Sequence, residues 1–599
     1  MIFNFRQLHR ALTPVLQALL LIVTISFVYK LALHYTFGFP LLIEGFFQII
    51  CSEVNRYKQD RRYKRVQNQA DLGEKGNART ECVGMVIGYR EDPSLFRQCL
   101  ESYRNDTTRT VRTLVIGIDG NEPEDMPMVD VAESVYGAAN LTVIKLDKPF
   151  GALASEMIDG WKVQQSLGEK AHQPNKDEFF DHVCRVLVGR AAALLQDLKL
   201  LHDQGGDHAA KAICITQPHM SKKDIMFSAF LFSLALARTH QTPFIWSSDS
   251  DTYFDPSASP IHRVLATMAA DPSIAGSCGA LNVHNPTQSP TTRLIAATYL
   301  TDLALTSGQN SAFDVTDCQP GPCAAFLTPA LSSILVPWYT QTVLSTRPLV
   351  NEDRHLTTLL LARGFRTTFH PSALLHTAAP STAAAWIVQQ CRWSRAIVLE
   401  TLAHPRVLAA RNPMLALYAV RRIAGPYLQA WIVVRYLASG TRVAISSPAD
   451  IAARVLLCSV YTAAQGGARR SGDAGAGAGR WCRVWPWLCA SQVFLQFPQP
   501  PVVFWACVTV FDGSWGNEGV GGGAGGKGRA TLWTRLRTLG WTWAPFVCVA
   551  VWVGLVAAAV CKFLVESSTL VGGGGAEGLY VAAGGVVASM GTFYVFTKG

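Results

Sequence analysis

Pro243-Phe244-Ile245-Trp246-Ser247-Ser248-Asp249-Ser250-Asp251-Thr252 is the stretch on which the reading of this chain turns. The apolar run Pro243 to Trp246 has the character of a short buried strand, and two carboxylates one residue apart stand at its C-terminal end. In an α/β sheet that edge is where ligands bind. Paired acidic side chains there can hold a hard divalent cation, which neutralises a diphosphate. An Asp-x-Asp triplet is also an ordinary turn or solvated strand end, so alone it decides little. About 100 residues downstream stand Glu352-Asp353-Arg354-His355 and then Gln389-Gln390-Cys391-Arg392-Trp393. The three strings together are specific.

Outward from that stretch, Cys82 to about His376 alternates two patterns. Val83–Ile87, Thr113–Ile118, Leu141–Leu146 and Ala212–Thr216 are short apolar or β-branched runs, like Pro243–Trp246. Lys222 to Arg238 and Asp353 to Arg363 carry helical periodicity, the second with Gly364 as its C-cap. The spacing predicts a mostly parallel sheet with helices on its faces. Asp159 to Asp207 is more polar and reads as a helical excursion.

Hydrophobic residues make up 49% of the 599 and charged residues 16%, a balance that fits an integral membrane protein. Ala11 to Leu33 is an apolar run long enough to span and reads as an anchor. Phe37 to Ile50, broken by Pro40 and Glu44, is a second tight span or an interfacial segment. The basic block Arg56 to Arg65 follows and assigns the next domain to the cytosolic side, its plainer reading being a solvated linker. Ala424–Ala438, Ile451–Ala464, Trp485–Phe511 and Trp543–Val565 suggest three or four further membrane or interfacial segments, with Arg421 and Arg422 at one cytosolic boundary. The Gly-rich stretches Gly466–Arg480 and Gly513–Arg529 read as loops. This divides the chain into an N-terminal anchor (1–55), a cytosolic domain (56–400) and C-terminal membrane helices (401–599). The net charge of +10 suits an anionic leaflet and an anionic substrate, and no nucleic-acid module is visible. The fifteen cysteines are scattered, without Cys-x-x-Cys pairs, and read as free thiols.

The ordered strings resemble the processive family 2 glycosyltransferases, and among them the hyaluronan-synthase-like polysaccharide synthases of fungi. The likeness runs from about Val83 to Ser394. It is carried by Ile87-Gly88-Tyr89-Arg90-Glu91-Asp92, Ile118-Asp119-Gly120, Gln217-Pro218-His219 with Lys222-Lys223, Asp249-Ser250-Asp251, Cys318-Gln319-Pro320-Gly321-Pro322 and the two downstream strings. Asp512-Gly513-Ser514-Trp515-Gly516-Asn517 resembles a Ser-Trp-Gly-Thr element of the same family. Where hyaluronan synthases show Gly-Asp-Asp-Arg-His-Leu and Ser-Gly-Pro, this chain has Asn351-Glu352-Asp353-Arg354-His355-Leu356 and Pro320-Gly321-Pro322, which leaves the polymer open.

The resemblance implies a GT-A-like catalytic domain embedded in an α-helical transmembrane protein of the plasma membrane. It would polymerise sugar from a UDP-sugar donor into an extracellular or cell-wall polysaccharide, with inversion. Asp119 can accept a hydrogen bond from the nucleotide, and the resemblance has Tyr89 and Glu91 join it. Lys222 and Lys223, at a helix start, could meet a phosphate. Asp249 and Asp251 are expected to hold Mg²⁺ or Mn²⁺, Asp251 more directly, with Asp249 also at the nucleotide. Asp353 is the expected general base, its rival reading an N-cap. Gln389, Gln390 and Trp393 would line the acceptor end of the growing polysaccharide, Trp393 by stacking and Arg392 as a fork for pyrophosphate. Cys318, Gly321 and Pro322 would shape a loop near the acceptor. The rivals are a chitin- or cellulose-type synthase, a lipid-linked monosaccharide transferase, and an inactive scaffold homologue.

Overall fold

Among the described residues eight strands form one sheet, in the order β3-β4-β2-β1-β5-β7-β6-β8. They are β1 (Cys82–Gly88), β2 (Val111–Ile118), β3 (Leu141–Lys145), β4 (Lys211–Thr216), β5 (Phe244–Asp249), β6 (Ile274–Val283), β7 (Ala324–Leu327) and β8 (Arg366–Thr377). All adjacent pairs are parallel except the two that β7 makes, with β5 and β6. Only β7 is therefore reversed, and the C-terminal ends of the other seven share one edge. This computed structural model describes residues 41–71, 80–106, 108–166, 175–198, 200, 211–411, 413–443, 448–469, 479–513, 532–567 and 577–598. The run Ala11–Leu33, the string from Ser514 to Asn517 and most of both Gly-rich stretches lie outside them.

The strands expected from the sequence form where β-branched and aliphatic residues are consecutive, and both faces are covered in all but the edge strand β3, where Val143 is exposed. One face packs on helix Lys222–His240, whose Phe227, Phe230, Leu231 and Leu234 are fully buried with Met85, Val115 and Ile215. The other carries Phe96, Leu100, Val131 and Leu265 against Val86, Ile116 and Trp246. Burial on both faces is what removes the period-two alternation from these strands. Within Asp159–Asp207 the described residues form the end of helix Phe150–Ser166 and helix Lys176–Asp197, the latter opened by a reciprocal Asn175/Glu178 capping box. Fourteen described cysteines are free thiols.

The basic block is not a solvated linker. It lies within one 31-residue helix, Leu41–Asp71, that runs unbroken through the boundary expected at 55/56. Asp450 caps this helix from a distance, its carboxylate accepting from the Leu41 and Leu42 N–H groups at 2.8 and 3.1 Å. Further along, Asn55 donates to the Phe369 carbonyl in β8, and Lys58 and Arg62 share the Asp314 carboxylate at 2.9 and 3.0 Å. Arg62 reaches Asp271 as well. Its first turns continue into this clamp, so Phe37–Ile50 does not form a separate tight span within the described residues.

Beyond residue 400 most described residues are helical, but among them only Trp543–Glu566 is long and apolar enough to cross a membrane. The sequence suggested three or four such segments, and the difference has local causes. Ala424–Ala438 belongs to helix Pro413–Ser439, which carries Arg421, Arg422 and Arg435 and has Pro426 inside it. Trp485–Phe511 is interrupted at Phe497-Pro498 into two helices, Gly479–Gln496 and Gln499–Val508. These helices nonetheless leave large apolar side chains exposed, among them Trp431, Val460, Phe504, Val551, Phe563 and Val587.

Candidate active site

The shared strand edge gathers the first group of expected residues. Tyr89 and Glu91 follow β1, Asp119 follows β2, Lys222 follows β4, and Asp249 closes β5. Because β7 runs backwards, the turn that precedes it, Gly321–Cys323, lies at the same edge, with Ala324 paired to Ser247. Gly88 lets β1 approach the turn after β5 closely, since a Cβ there would stand 2.6 Å from the Ser250 Oγ. Arg90 takes a left-handed φ of 47° and turns its guanidinium onto the buried Asp125 at 2.8 Å.

Carboxylates crowd the centre of this edge. Lys222 Nζ sits 2.6 Å from Asp249 Oδ1 and 3.7 Å from Glu352 Oε1. Burial would lower the Lys222 pKa, but Asp249, Glu352 and Asp353 outweigh it and hold the ammonium charged. Asp251 is held by hydroxyl donors, Thr252 at 3.1 Å and Thr377 at 3.4 Å. Burial, then Asp249 and Glu91, push its carboxyl up to about 7. Glu91 is pushed up as well, chiefly by burial, although the Asp92 N–H and Ser250 Oγ donate to it. Lys222 offsets part of this charge and leaves Asp251 facing two further acids. Hard oxygen donors with surplus negative charge fit a divalent cation such as Mg²⁺ or Mn²⁺.

The Gly321 turn joins this cluster to Asp353. The Gly321 N–H donates to Asp353 Oδ2 at 3.3 Å, and a Cβ at 321 would lie 3.1 Å from Asp249 Oδ2 and 3.2 Å from Lys222 Nζ. Pro322 accepts from the Ser248 hydroxyl through its carbonyl at 2.9 Å. Cys318 is no nucleophile here, because burial pushes its thiol well above the usual range. Helix Glu352–Ala362 places Asp353 in its first turn, with the N-cap position held by Asn351. Asp353 is therefore not the N-cap. Asn351 makes no side-chain cap bond either, donating its amide instead to Gln341 and Glu400.

At the other end of the edge, His219 bridges the two expected nucleotide-binding residues. Its ring stacks on Tyr89 with centroids 4.1 Å apart, and its Nδ1 lies 2.9 Å from Asp119 Oδ2. The Met220 N–H donates to Asp119 Oδ1 at 3.2 Å, so both carboxylate oxygens have internal partners. The Asp119 carboxylate raises the His219 pKa against the opposing effect of burial. The sequence offered His219 only as part of a Gln-Pro-His string, with nothing to indicate this bridge.

Lys223 is not brought to the cluster. It follows Lys222 by one position, about 100° round the helix, and is fully buried over the Trp338 ring with its Nζ 3.4 Å from the Pro348 carbonyl. Burial first, then Arg347, lower its pKa to about 7. Helix Ala383–Ala403 carries Gln389, Gln390, Arg392 and Trp393. Arg392 lies within electrostatic reach of Glu352 and of Tyr299, and Tyr299 is in turn within reach of Asp251. Trp393 is half-buried, 6.4 Å from the Tyr299 ring and against a core that includes Trp386 and Val502. Gln390 is buried, and the buried Gln389 Oε1 has no hydrogen-bond partner. Asp512 pairs with Arg395 of the same helix at 2.8 Å.

Among the described residues, the one group of three whose ligand atoms could share a metal ion is His355, Glu400 and His404, away from the aspartate pair. Glu400 is already satisfied there by Gln341, Asn351 and His355; burial would raise its carboxyl, but His355, Gln341 and His404 hold it at about 2. It reads as a closed structural network that seats the start of helix Glu352–Ala362.

A model of the glycosyltransferase like family 2 matches residues 181–396. Hyaluronan synthase 2 of Rattus norvegicus is 25% identical over 318 residues, 53% of this chain and 50% of the rat protein. Hyaluronan synthase 3 of Xenopus laevis is 25% identical over 326 residues, 54% of this chain and 50% of the frog protein. For hyaluronan synthase 3 of Homo sapiens the identity is 25% over 367 residues, 61% of this chain and 57% of the human protein. The chain thus spans about half the length of the curated relatives it matches. A mannosyltransferase of Pyrobaculum calidifontis, solved with GDP-Man and Mn²⁺, aligns over 75% of this chain and 97% of its own at 13% identity. The TM-score of that alignment is 0.34.

Proposed function

From the premise that this chain carries a family 2 glycosyltransferase domain distantly related to hyaluronan synthases, we propose that it is a membrane-associated, inverting, processive β-glycosyltransferase. It takes a UDP-sugar and extends a polysaccharide. The observation that carries the reading is the joining of the Asp249/Asp251/Lys222 cluster to Asp353 through the Gly321 turn.

Each residue at this edge has work in such a reaction. Asp249 and Asp251 would hold Mg²⁺ or Mn²⁺, which supplies charge to stabilise the departing diphosphate. Lys222, kept charged among the carboxylates, adds a second positive group to that side. Tyr89 and Asp119 bind the nucleotide, with His219 moving off the Tyr89 face to admit the base. Asp353 takes the proton of the acceptor hydroxyl as that oxygen attacks the anomeric carbon, and an α-linked donor yields a β-linkage. The Gly321 and Arg354 N–H groups, donating to the two Asp353 oxygens, hold the carboxylate in one orientation. Gln389, Gln390 and Trp393 receive the acceptor end of the polymer. The exposed apolar side chains of the C-terminal helices support contact with a lipid bilayer, and the span Trp543–Glu566 supports insertion.

The test is to incubate purified membranes with single labelled UDP-sugars and Mg²⁺ or Mn²⁺, then digest the product with linkage-specific hydrolases. A hyaluronidase-sensitive polymer made from two sugars supports the hyaluronan-like reading. A chitinase- or cellulase-sensitive polymer from one sugar assigns the chitin- or cellulose-type rival. Incorporation into lipid alone, or none with any donor, rejects polymer synthesis.

A further inference from the structure

Asp317 lies at the start of the loop that ends in the Gly321 turn, and two arginines meet on one of its oxygens. Arg354 Nη1 and Arg422 Nη1 both stand 2.8 Å from Asp317 Oδ2. Arg354 also donates to the Asp317 carbonyl at 3.2 Å. The three come from separate parts of the chain: Arg354 from the residue after Asp353, Asp317 from the loop, and Arg422 from helix Pro413–Ser439 beyond the catalytic sheet. Burial would raise the Asp317 carboxyl, yet the two guanidinium groups outweigh it and hold it at about 2. All three side chains are largely buried, and Arg422 also covers the Tyr418 ring at 4.3 Å. Charge-assisted hydrogen bonds in so screened a place are short and directional.

Both backbone N–H groups that hold Asp353 are attached to this triad. The Arg354 N–H donates to Asp353 Oδ1 at 2.8 Å, and the Gly321 N–H, four residues after Asp317, donates to Oδ2 at 3.3 Å. Between them the Gln319 N–H is tied to Thr357 Oγ1 at 2.7 Å, so loop and helix start form one unit. We infer that Arg422 and Asp317 are positioning residues for the Asp353 carboxylate, and that through them the C-terminal helices set the geometry of proton removal. The inference rests on the proposed role of Asp353 but concerns its placement, which can be read without turnover. Substituting Arg422 leaves Asp317 with Arg354 alone, and the loop loses its tie to helix Pro413–Ser439.

The experiment compares full-length wild type, Arg422→Gln, Arg422→Lys, Asp317→Asn and the double variant Arg422→Gln/Asp317→Asn in membranes or detergent. Hydrogen exchange is followed in peptides covering 317–322 and 352–358, and transfer kinetics are recorded beside it. Exchange in both peptides should rise in Arg422→Gln while the sheet peptides stay unchanged, and Arg422→Lys should restore part of the protection. kcat should fall about 10- to 100-fold, the scale of a small misplacement, with the KM for donor within a factor of about two. The double variant should be no worse than Asp317→Asn, because both changes act through one carboxylate. Unchanged exchange in those peptides overturns the inference, as does a uniform rise over the whole domain, which marks a merely structural bridge. If the variants show this exchange pattern while wild type transfers no sugar, the result counts against the proposed function and not against the placement.

Discussion

Two sets of partly buried carboxylates in this protein have opposite surroundings. Along the seams that join the catalytic sheet to its flanking helices, Asp314 meets Lys58 and Arg62, and Asp317 meets Arg354 and Arg422. At the edge of the sheet, Glu91, Asp249, Asp251, Glu352 and Asp353 gather around Lys222, and the Asp251, Glu91 and Glu352 carboxyls are pushed up. A seam is built to stay closed, so its charges are matched within the protein. An unmatched set is tolerable only where something else supplies the balance. The contrast separates carboxylates matched by cations within the protein from carboxylates left in surplus at the sheet edge.

The strongest way to break that contrast is to neutralise Asp353. Asp353→Asn should lower sugar transfer by on the order of 10²–10⁴ while UDP binding stays near wild type. Transfer and UDP affinity measured on one preparation decide this, and retained transfer removes Asp353 from the base role. Stripping divalent metal with EDTA should weaken UDP binding by about 100-fold or more, since the carboxylates then repel the diphosphate unaided. Calorimetry with UDP before and after adding back Mg²⁺ or Mn²⁺ checks it, and EDTA-insensitive binding would remove the metal from Asp249 and Asp251.

The seam should respond in stability instead. Asp314→Asn leaves Lys58 and Arg62 facing each other and should cost about 1–3 kcal/mol in denaturant unfolding at any pH from 6 to 8. Asp251 should show the reverse, with a definite sign. Its folded pKa, about 7, lies above the unfolded value, so ionisation is harder in the folded protein. The resulting destabilisation is absent at pH below the unfolded pKa, grows as pH rises toward 7, and is constant above it. Metal-free Asp251→Asn should therefore be more stable than wild type at pH 8, by on the order of 1–3 kcal/mol, with the difference fading near pH 4. An unchanged difference across that range would show that Asp251 does not carry the strain of the cluster.

The sequence made these two regions unequally legible. β1 to β5 could be read because Val83–Ile87 or Ile213–Ile215 are consecutive apolar residues, and the site residues that end those strands came with them. β6, β7 and β8 escaped. Ile274–Val283 is rich in small residues, Ala324–Leu327 is only four residues long, and Arg366–Thr377 contains Pro371, where its pairing with β6 shifts register. The edge motifs were visible because acids and glycines there follow strand ends. Lys223 misled because two adjacent lysines look alike in a string and differ by which way the helix turns them. Asp317 with Arg422 could not be read at all, because a pairing across 105 residues leaves no local pattern.

The helix Leu41–Asp71 has a mechanical meaning. At about 1.5 Å per residue it is roughly 46 Å long, it contains no proline, and it is fastened at one end to Asp450 and along its middle to β8 and Asp314. Such a rod carries displacement without absorbing it. Tilting the helix Pro448–Arg469, to which its first turn is fixed, would turn the rod and drag the far strand of the sheet along. A displacement at Asp450 would then arrive at the edge strand of the sheet as a load, transmitted through a lever that has no joint.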